Sequence, residues 1–388
     1  MMRVPTACFV SIVRPARDMR TFHKEARSLA AAGWRVAVVG PDAESEADGD
    51  GIEVVPLRRA HGVGRAVLQL RALKRALATR ADVYQVTDVE LLPVAFVLKR
   101  LGRTVVYDCI EDYPAYMRQK AWIPARLRPY AAFAVERIER LVTPRLDAVI
   151  TADEGTAARL ARYGASVTVV HNFPRRDEFR PAPADAPRPY DVVYHGSLPA
   201  HQLEALTGIA SALARRLPSA RWTIVGEPDG RGGRAAFAAA LARDGLDRRV
   251  ELRARIPFPE VPALLAGART GVVPLPDLPK FRTNVPMKLF EYMAAGVPAV
   301  ASDLLPARRL LGGTGAAMLV PAGDHAAFAA ALDDLLRHPG WAAELAQRGR
   351  DAVRDRFHWE GEEERLVRLY ARLLCGPGLR SAMEQTLA

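Results

Sequence analysis

Cysteine is scarce in this sequence. Only Cys8, Cys109 and Cys375 occur in 388 residues, far apart and with no C-x-x-C spacing. A disulfide framework and a thiolate zinc or redox site are thereby disfavoured, and a reducing cytoplasm is the expected setting. No apolar run reaches the roughly 18 residues that a membrane span needs. The first ten residues lack the basic segment, long apolar stretch and small-residue cleavage site of a signal peptide. The protein is therefore expected to touch a membrane at most, without crossing it. Aromatics are few, at 7%, and do not alternate with basic residues as stacking platforms for nucleic acid would, so no nucleic-acid partner is expected. No H-E-x-x-H or P-loop sequence occurs. Gly62-Val63-Gly64 and 230–233 fall short of the full G-x-G-x-x-G fingerprint, which argues against hydride transfer.

What is present is an ordinary globular composition, 49% hydrophobic and 26% charged, with 55 Lys and Arg against 44 Asp and Glu for a formal charge of +11. Such a surface suits anionic partners such as nucleotides or lipid headgroups, although arginine bias in the coding sequence is the plain alternative. Short β-branched runs alternate with longer Ala/Leu/Arg segments of helical spacing, which predicts βαβ units and parallel sheets, an α/β protein. Strands are expected in the first half at 7–13, 35–39, 52–56, 83–86, 104–107, 148–151 and 166–170. In the second they are expected at 191–194, 222–225, 250–254, 270–273, 299–302 and 317–320. Helices are expected at 21–32, stopped by Gly33, and at 202–216, 234–244, 261–266, 286–295, 325–336 and 341–357. The Pro- and Ala-rich stretch 180–189 reads as a linker. It divides the chain into 1–180 and 190–360, each a plausible doubly wound sheet, with 361–388 beyond. A cleft between two such sheets is the default ligand site.

The segment PKFRTNVPMKLFEYMAAGVPAVASD, 279–303, carries the most chemistry. A buried strand leads through a polar loop into a helix with Pro286 near its first turn, and Gly296-Val297-Pro298 ends it. The helix N-terminus offers unpaired N–H groups and a positive dipole end, and Lys280, Arg282 and Lys288 add cations suited to a diphosphate. Glu291, one turn past Lys288, shares its face and can accept hydrogen bonds from vicinal hydroxyls such as those of ribose. An ordinary strand–loop–helix with solvated charges and an i,i+3 pair stands as the alternative.

KLFEYMAAGVPAVASD resembles the donor-site helix of retaining glycosyltransferases of the GT-B fold, in the large family 4 that uses nucleotide sugars. The likeness extends over nearly the whole chain. MRTFHKEARSLAAAGWRVAVVGPD resembles the family's first strand–helix–strand. DVYQVTDVELLPVAF and TVVYDCIEDYP resemble two acceptor-facing loops. VVYHGSL opens the second domain, and FHWEGEEERLVRLYARLL resembles the terminal helix that crosses back to the first. The resemblance implies two Rossmann-like domains facing a central cleft. It also implies transfer of a sugar from a UDP- or GDP-linked donor to a saccharide, lipid-linked or small natural-product acceptor, with no cofactor. A nucleotide-sugar-binding protein or partner subunit without catalysis is the alternative.

By that resemblance Glu291 grips the ribose, Lys288 neighbours the donor phosphates, and the backbone of Asn284, Val285 and Pro286 approaches the diphosphate. Thr283 stands where many members carry the first glutamate of an E-x7-E pair. The turn His195-Gly196-Ser197 matches the phosphate-facing glycine loop, but the basic residue usual a few positions later is absent; His201 is the nearest candidate, and Arg282 or Lys280 can substitute. Gly226, Glu227, Arg255 and Ile256 are expected near the base, with an exposed strand-end arginine as the alternative for Arg255. In the first half, the carboxylates of Asp88, Glu90, Glu111 and Asp112 lie just past strands, where they can orient acceptor hydroxyls or take up a proton. Relatives often carry histidine where this chain has Thr87 and Ile110. Arg20, in a polar cluster with His23, Lys24 and Glu25, is expected either to face the acceptor or to be a solvated helix start. Lys288 and Arg282 are the expected stabilisers of the leaving group. Asp48-Gly49-Asp50 matches the metal-binding D-x-D of the other common glycosyltransferase fold, but it sits with Glu44 and Glu46 in an acidic loop and reads as a solvated turn; no metal is called for.

Fourteen Lys and Arg fall between Arg58 and Arg128. From Met117 to Tyr130 they interleave with Trp122, Ile123 and Leu127, as in a segment that rests on an anionic bilayer, for which the inner face of the cell membrane is the expected place. Surface helices with snorkelling arginines are the alternative.

Overall fold

The computed structural model describes residues 3–41, 51–59, 64–120, 122–183, 186–230 and 232–375. The D-x-D triplet with Glu44 and Glu46, Gly62-Val63 and Arg231 lie outside the described residues. The chain divides into two compact units, 1–172 with 361–388, and 173–360. In sequence the break comes at Asn172, ahead of the Pro-rich stretch expected to mark it.

In the first unit, β1 (Thr6–Val10), β2 (Arg35–Pro41), β3 (Ile52–Leu57), β4 (Val83–Val86), β5 (Thr104–Cys109), β6 (Ala148–Thr151) and β7 (Val167–Val169) form one parallel sheet. Its order is β3-β2-β1-β4-β5-β6-β7. In the second unit, β8 (Tyr190–His195), β9 (Trp222–Val225), β10 (Val250–Arg253), β11 (Ala268–Val273), β12 (Ala299–Ser302) and β13 (Met318–Val320) are again all parallel, in the order β10-β9-β8-β11-β12-β13. Both are doubly wound α/β sheets. The order of strand addition reverses between β1 and β4 in one and between β8 and β11 in the other, and ligands settle outside the strand ends at such switch points. The interior strands are apolar on both faces because helices cover both sides, which is why each expected strand falls where a short continuous apolar run lies.

Three local features differ from expectation. β1 stops at Val10 because the Asp88 carboxylate takes the next turn, accepting from the Ser11 hydroxyl at 2.9 Å and the N–H groups of Ile12 and Val13 at 2.8 and 3.0 Å. The first helix opens as a π-turn, Thr21–Ala26, before a short α-helix, α1 (Arg27–Ala31). Glu25 donates its N–H to the Arg20 carbonyl five residues back, and the wider turn brings Arg20, Lys24 and Glu25 inward together, all buried. Several helices that the sequence spacing did not single out also cover the first sheet, among them α2 (Gly64–Ala78), α3 (Leu92–Arg100), α4 (Tyr113–Met117), α5 (Arg128–Val142) and α6 (Glu154–Ala161).

Arg20 is thus the centre of a buried polar network and not a surface contact. Its guanidinium donates to both Asp108 carboxylate oxygens at 2.9 and 3.0 Å and to the Val170 carbonyl, and its Nε lies 3.0 Å from Glu25. Gln85 donates to the other Glu25 oxygen at 2.6 Å and accepts from the Tyr370 hydroxyl at 2.5 Å. Tyr370 also stacks on Phe9 and meets Trp34 edge-on. Burial and the nearby Asp108 charge push the Glu25 carboxyl up to about 8, Arg20 partly offsetting them. A carboxyl raised in the fold stabilises it fully below its unfolded value near 4.5, and that contribution is lost as pH climbs toward 8. Melting curves at pH 5.5 and 8 should therefore show a smaller loss on going alkaline in Glu25→Gln than in the parent; equal losses would mean that Glu25 ionises normally.

Candidate active site at the strand ends of the second unit

The second unit continues with α7 (Ala200–Arg216), α8 (Gly233–Arg243), α9 (Val261–Ala266) and α10 (Met287–Ala295), the last between β11 and β12. Pro286 is the N-cap of α10, whose C-cap is Gly296 in the left-handed conformation, φ 69°. The seam between β8 and β11 therefore meets the N-terminus of α10 at the switch point, where backbone donors and dipole both favour an anion.

Two glycines make this crest close-packed. Gly196, φ +127°, follows β8, and a Cβ there would lie 2.1 Å from Lys288 Cε and 2.7 Å from its Nζ. The lysine side chain therefore runs across the bare backbone of the glycine turn. A Cβ on Gly226, after β9, would come within 2.2 Å of the Gly196 carbonyl oxygen, so the two strand-end turns touch backbone to backbone. The Lys288 ammonium sits 5.6 Å from the Tyr194 ring centre. Burial lowers its pKa, with Lys280 adding to the effect and Glu291 opposing it. One turn on, Glu291 is 8% exposed, and its Oε2 lies 3.1 Å from His195 Nε2. An ammonium and a carboxylate on one helical face, at the edge of a glycine turn, form a site that matches a diphosphate on one side and a polyol on the other.

Two models of glycosyltransferase families match this chain: "Glycosyl transferase 4-like domain" over residues 20–176 and "Glycosyl transferases group 1" over residues 189–338. The chain belongs to the GT-B glycosyltransferases of family 4. The sucrose-phosphate synthase of Thermosynechococcus elongatus superposes with a TM-score of 0.78 over 96% of this chain and 99% of that one, at 19% identity. Anabaena HepE, solved in complex with UDP-glucose, gives 0.71 over 94% and 99%, at 15% identity. A stretch of 82 residues is 45% identical to the phosphatidyl-myo-inositol mannosyltransferase of Mycobacterium leprae; it is 21% of this chain and spans only 22% of that protein.

Around α10 this glycosyltransferase places the other expected donor residues unevenly. Thr283 donates its hydroxyl to the Lys280 carbonyl at 3.2 Å, and Asn284 N–H reaches the same carbonyl at 3.3 Å, closing the loop before the helix. Val285 and Pro286 are buried at the helix start. Arg282 is exposed and held by Asp277 at 2.7 Å, so it enters a donor site only by exchanging that partner. Lys280 lies over the Phe281 ring, which His201 meets edge-on; burial and Lys280 together lower the His201 pKa. The Ser197 carbonyl accepts from the Tyr194 hydroxyl at 2.8 Å. Glu227 pairs with Arg234 at 3.2 Å, Arg255 is exposed, and Ile256 packs on the core beside a hollow of about 750 Å³ walled by Pro181, Tyr190 and Arg253. The His195–Glu291 pair escaped the sequence reading because its members stand far apart in the chain.

In the first unit, the expected acceptor carboxylates are mostly committed. Asp88, 4% exposed, holds the turn after β1. Asp112 caps α4, accepting from Ala115 N–H at 3.1 Å, and lies 3.5 Å from Arg159. Glu90 pairs with Arg65 at 2.5 Å, while burial raises its pKa. Glu111 is half-buried, its carbonyl accepting from the Cys109 thiol. Arg20, expected either to face the acceptor or to be a solvated helix start, is enclosed by Asp108 and Glu25 at 2% exposure, because the fold brings their carboxylates to it from β5 and from the same turn. Among the described residues no group of three or more His, Cys, Asp or Glu is placed to hold a metal ion, and no helix is long and apolar enough to cross a membrane.

Proposed function

We propose that this glycosyltransferase moves a sugar from a nucleoside diphosphate to an acceptor hydroxyl with retention at the anomeric carbon and without a metal. The observation that carries the reading is the Lys288 side chain laid across Gly196, with Glu291 one turn further on. The diphosphate sits between the glycine turn and the start of α10, and the ribose diol meets Glu291. The acceptor oxygen bonds to the anomeric carbon as the bond from that carbon to the diphosphate breaks, and the acceptor proton passes to the departing diphosphate on the same face. Lys288 and the helix dipole stabilise the negative charge that grows on the leaving group, so their effect falls on the transition state more than on bound donor. UDP- and GDP-hexoses are the donors to try first, and lipid-linked saccharides the acceptors.

A thermal-shift panel of UDP, GDP, ADP and TDP tests the binding half. One nucleotide should raise the melting temperature clearly, since a ligand at 100 times its Kd adds about 2.7 kcal/mol. Glu291→Ala should bind that nucleotide at least about 10–100-fold more weakly, the worth of a single hydrogen bond to a charged acceptor. A panel with no shift, or an unchanged Kd in Glu291→Ala, would reject this donor geometry. Donor hydrolysis or transfer by the purified protein separates catalysis from binding alone.

A further inference from the structure

The outward side of α5 in the first unit has the composition of an inner one. Its packed side is accounted for: Ala132, Glu139 and Val142 are buried, and Val135 lies against the core. On the other side Tyr130 is 72% exposed, Phe133 62%, Ile138 41% and Leu141 57%. Steps of three, five and three residues set these four on one stripe of the helix. Just ahead of it, Leu127 and Trp122 are exposed as well. Single exposed apolar side chains are ordinary, but six large ones within twenty residues are a patch that something covers.

Cations stand within and ahead of the stripe. Five arginines and two glutamates stand between residues 122 and 145. Glu139 is buried against Arg159, and Glu136 is engaged by Arg140 and by the Tyr163 hydroxyl. Arg126, Arg137 and Arg145 are exposed. With 15 residues and two arginines in its second half, the helix can lie on a bilayer but not cross one.

We propose that this face seats on an anionic lipid surface, with Tyr130, Phe133, Ile138 and Leu141 entering the headgroup layer while Arg126 and Arg137 meet lipid phosphates. Charge complementarity selects that occupant. A second copy docked across a two-fold axis would set the same arginine row against itself, whereas a lipid leaflet offers counter-charge along its whole length. The contact shares Arg126 and Tyr130 with the segment that the sequence suggests at 117–130 but continues along α5 in place of Ile123, which is buried and whose carbonyl accepts from Arg128. It does not rest on the donor reading.

The test floats the full-length chain, without nucleotide, with vesicles of equimolar phosphatidylglycerol and phosphatidylcholine and with phosphatidylcholine alone. Binding should occur to the anionic vesicles and decline as salt rises. Arg126→Gln and Arg137→Gln should each weaken it about fivefold, and Phe133→Ser with Leu141→Ser should abolish it, with melting temperature and donor hydrolysis unchanged. Equal binding to both vesicle types, or none at low salt, overturns the proposal. So does sedimentation velocity showing a dimer that Phe133→Ser dissociates, which would make a second copy the occupant.

Discussion

Replacing Lys288 with methionine should lower turnover about 10²–10³-fold while leaving the fold intact, the loss expected when one donor to a developing oxyanion is removed. The structure explains why the two effects separate. The ammonium rests against Gly196 and the Tyr194 ring, and burial already lowers its pKa, so a neutral thioether of similar length costs the resting protein little. In the proposed transfer, charge on the departing diphosphate grows only as the reaction proceeds, and there the cation would be missed. Steady-state kinetics with the preferred donor should show kcat falling with little change in KM. Turnover within a few-fold of the parent, in a variant of unchanged melting temperature, would remove Lys288 from the chemistry.

Arg20→Leu should be the most destabilising single change in the first unit, by about 3–5 kcal/mol, because it strands buried charge. Asp108 is fully buried and loses both of its guanidinium bonds; Glu25, also fully buried, loses its cation; and the Val170 carbonyl loses a donor. For a domain of this size that is a fall in melting temperature on the order of 10 °C. Calorimetry decides the matter, since a variant that melts like the parent and loses acceptor affinity would restore Arg20 to the acceptor role its sequence position suggests.

Legibility in the sequence followed sequence distance. Buried parallel strands announce themselves as short apolar runs, so the positions of strands in both sheets could be anticipated from runs such as Val83–Val86 and Ala299–Ser302. Lys288 and Glu291 were equally plain, being three apart on one helix. What a linear reading cannot supply is a partner brought by the fold. Arg20 read as either an acceptor contact or a solvated helix start because Asp108 is 88 residues away, and His195 read only as part of the phosphate-facing glycine turn because Glu291 is distant. The row Tyr130, Phe133, Ile138 and Leu141 has the spacing of a core stripe; only the packing of Ala132, Glu139 and Val142 on the other side shows that it points outward.

The last helix (Trp359–Leu374) gives the first unit a part that its own first 172 residues do not encode. Tyr370 closes the hydrogen-bond chain from Gln85 to Glu25 and lies against Phe9 and Trp34. Glu362 takes both the backbone N–H and the ring of His171. An excised first unit ending at Asn172 would be left with an aromatic socket and severed polar wiring. Protein engineers wishing to swap such halves between relatives should carry the tail segment along with the front of the chain, as one indivisible cassette.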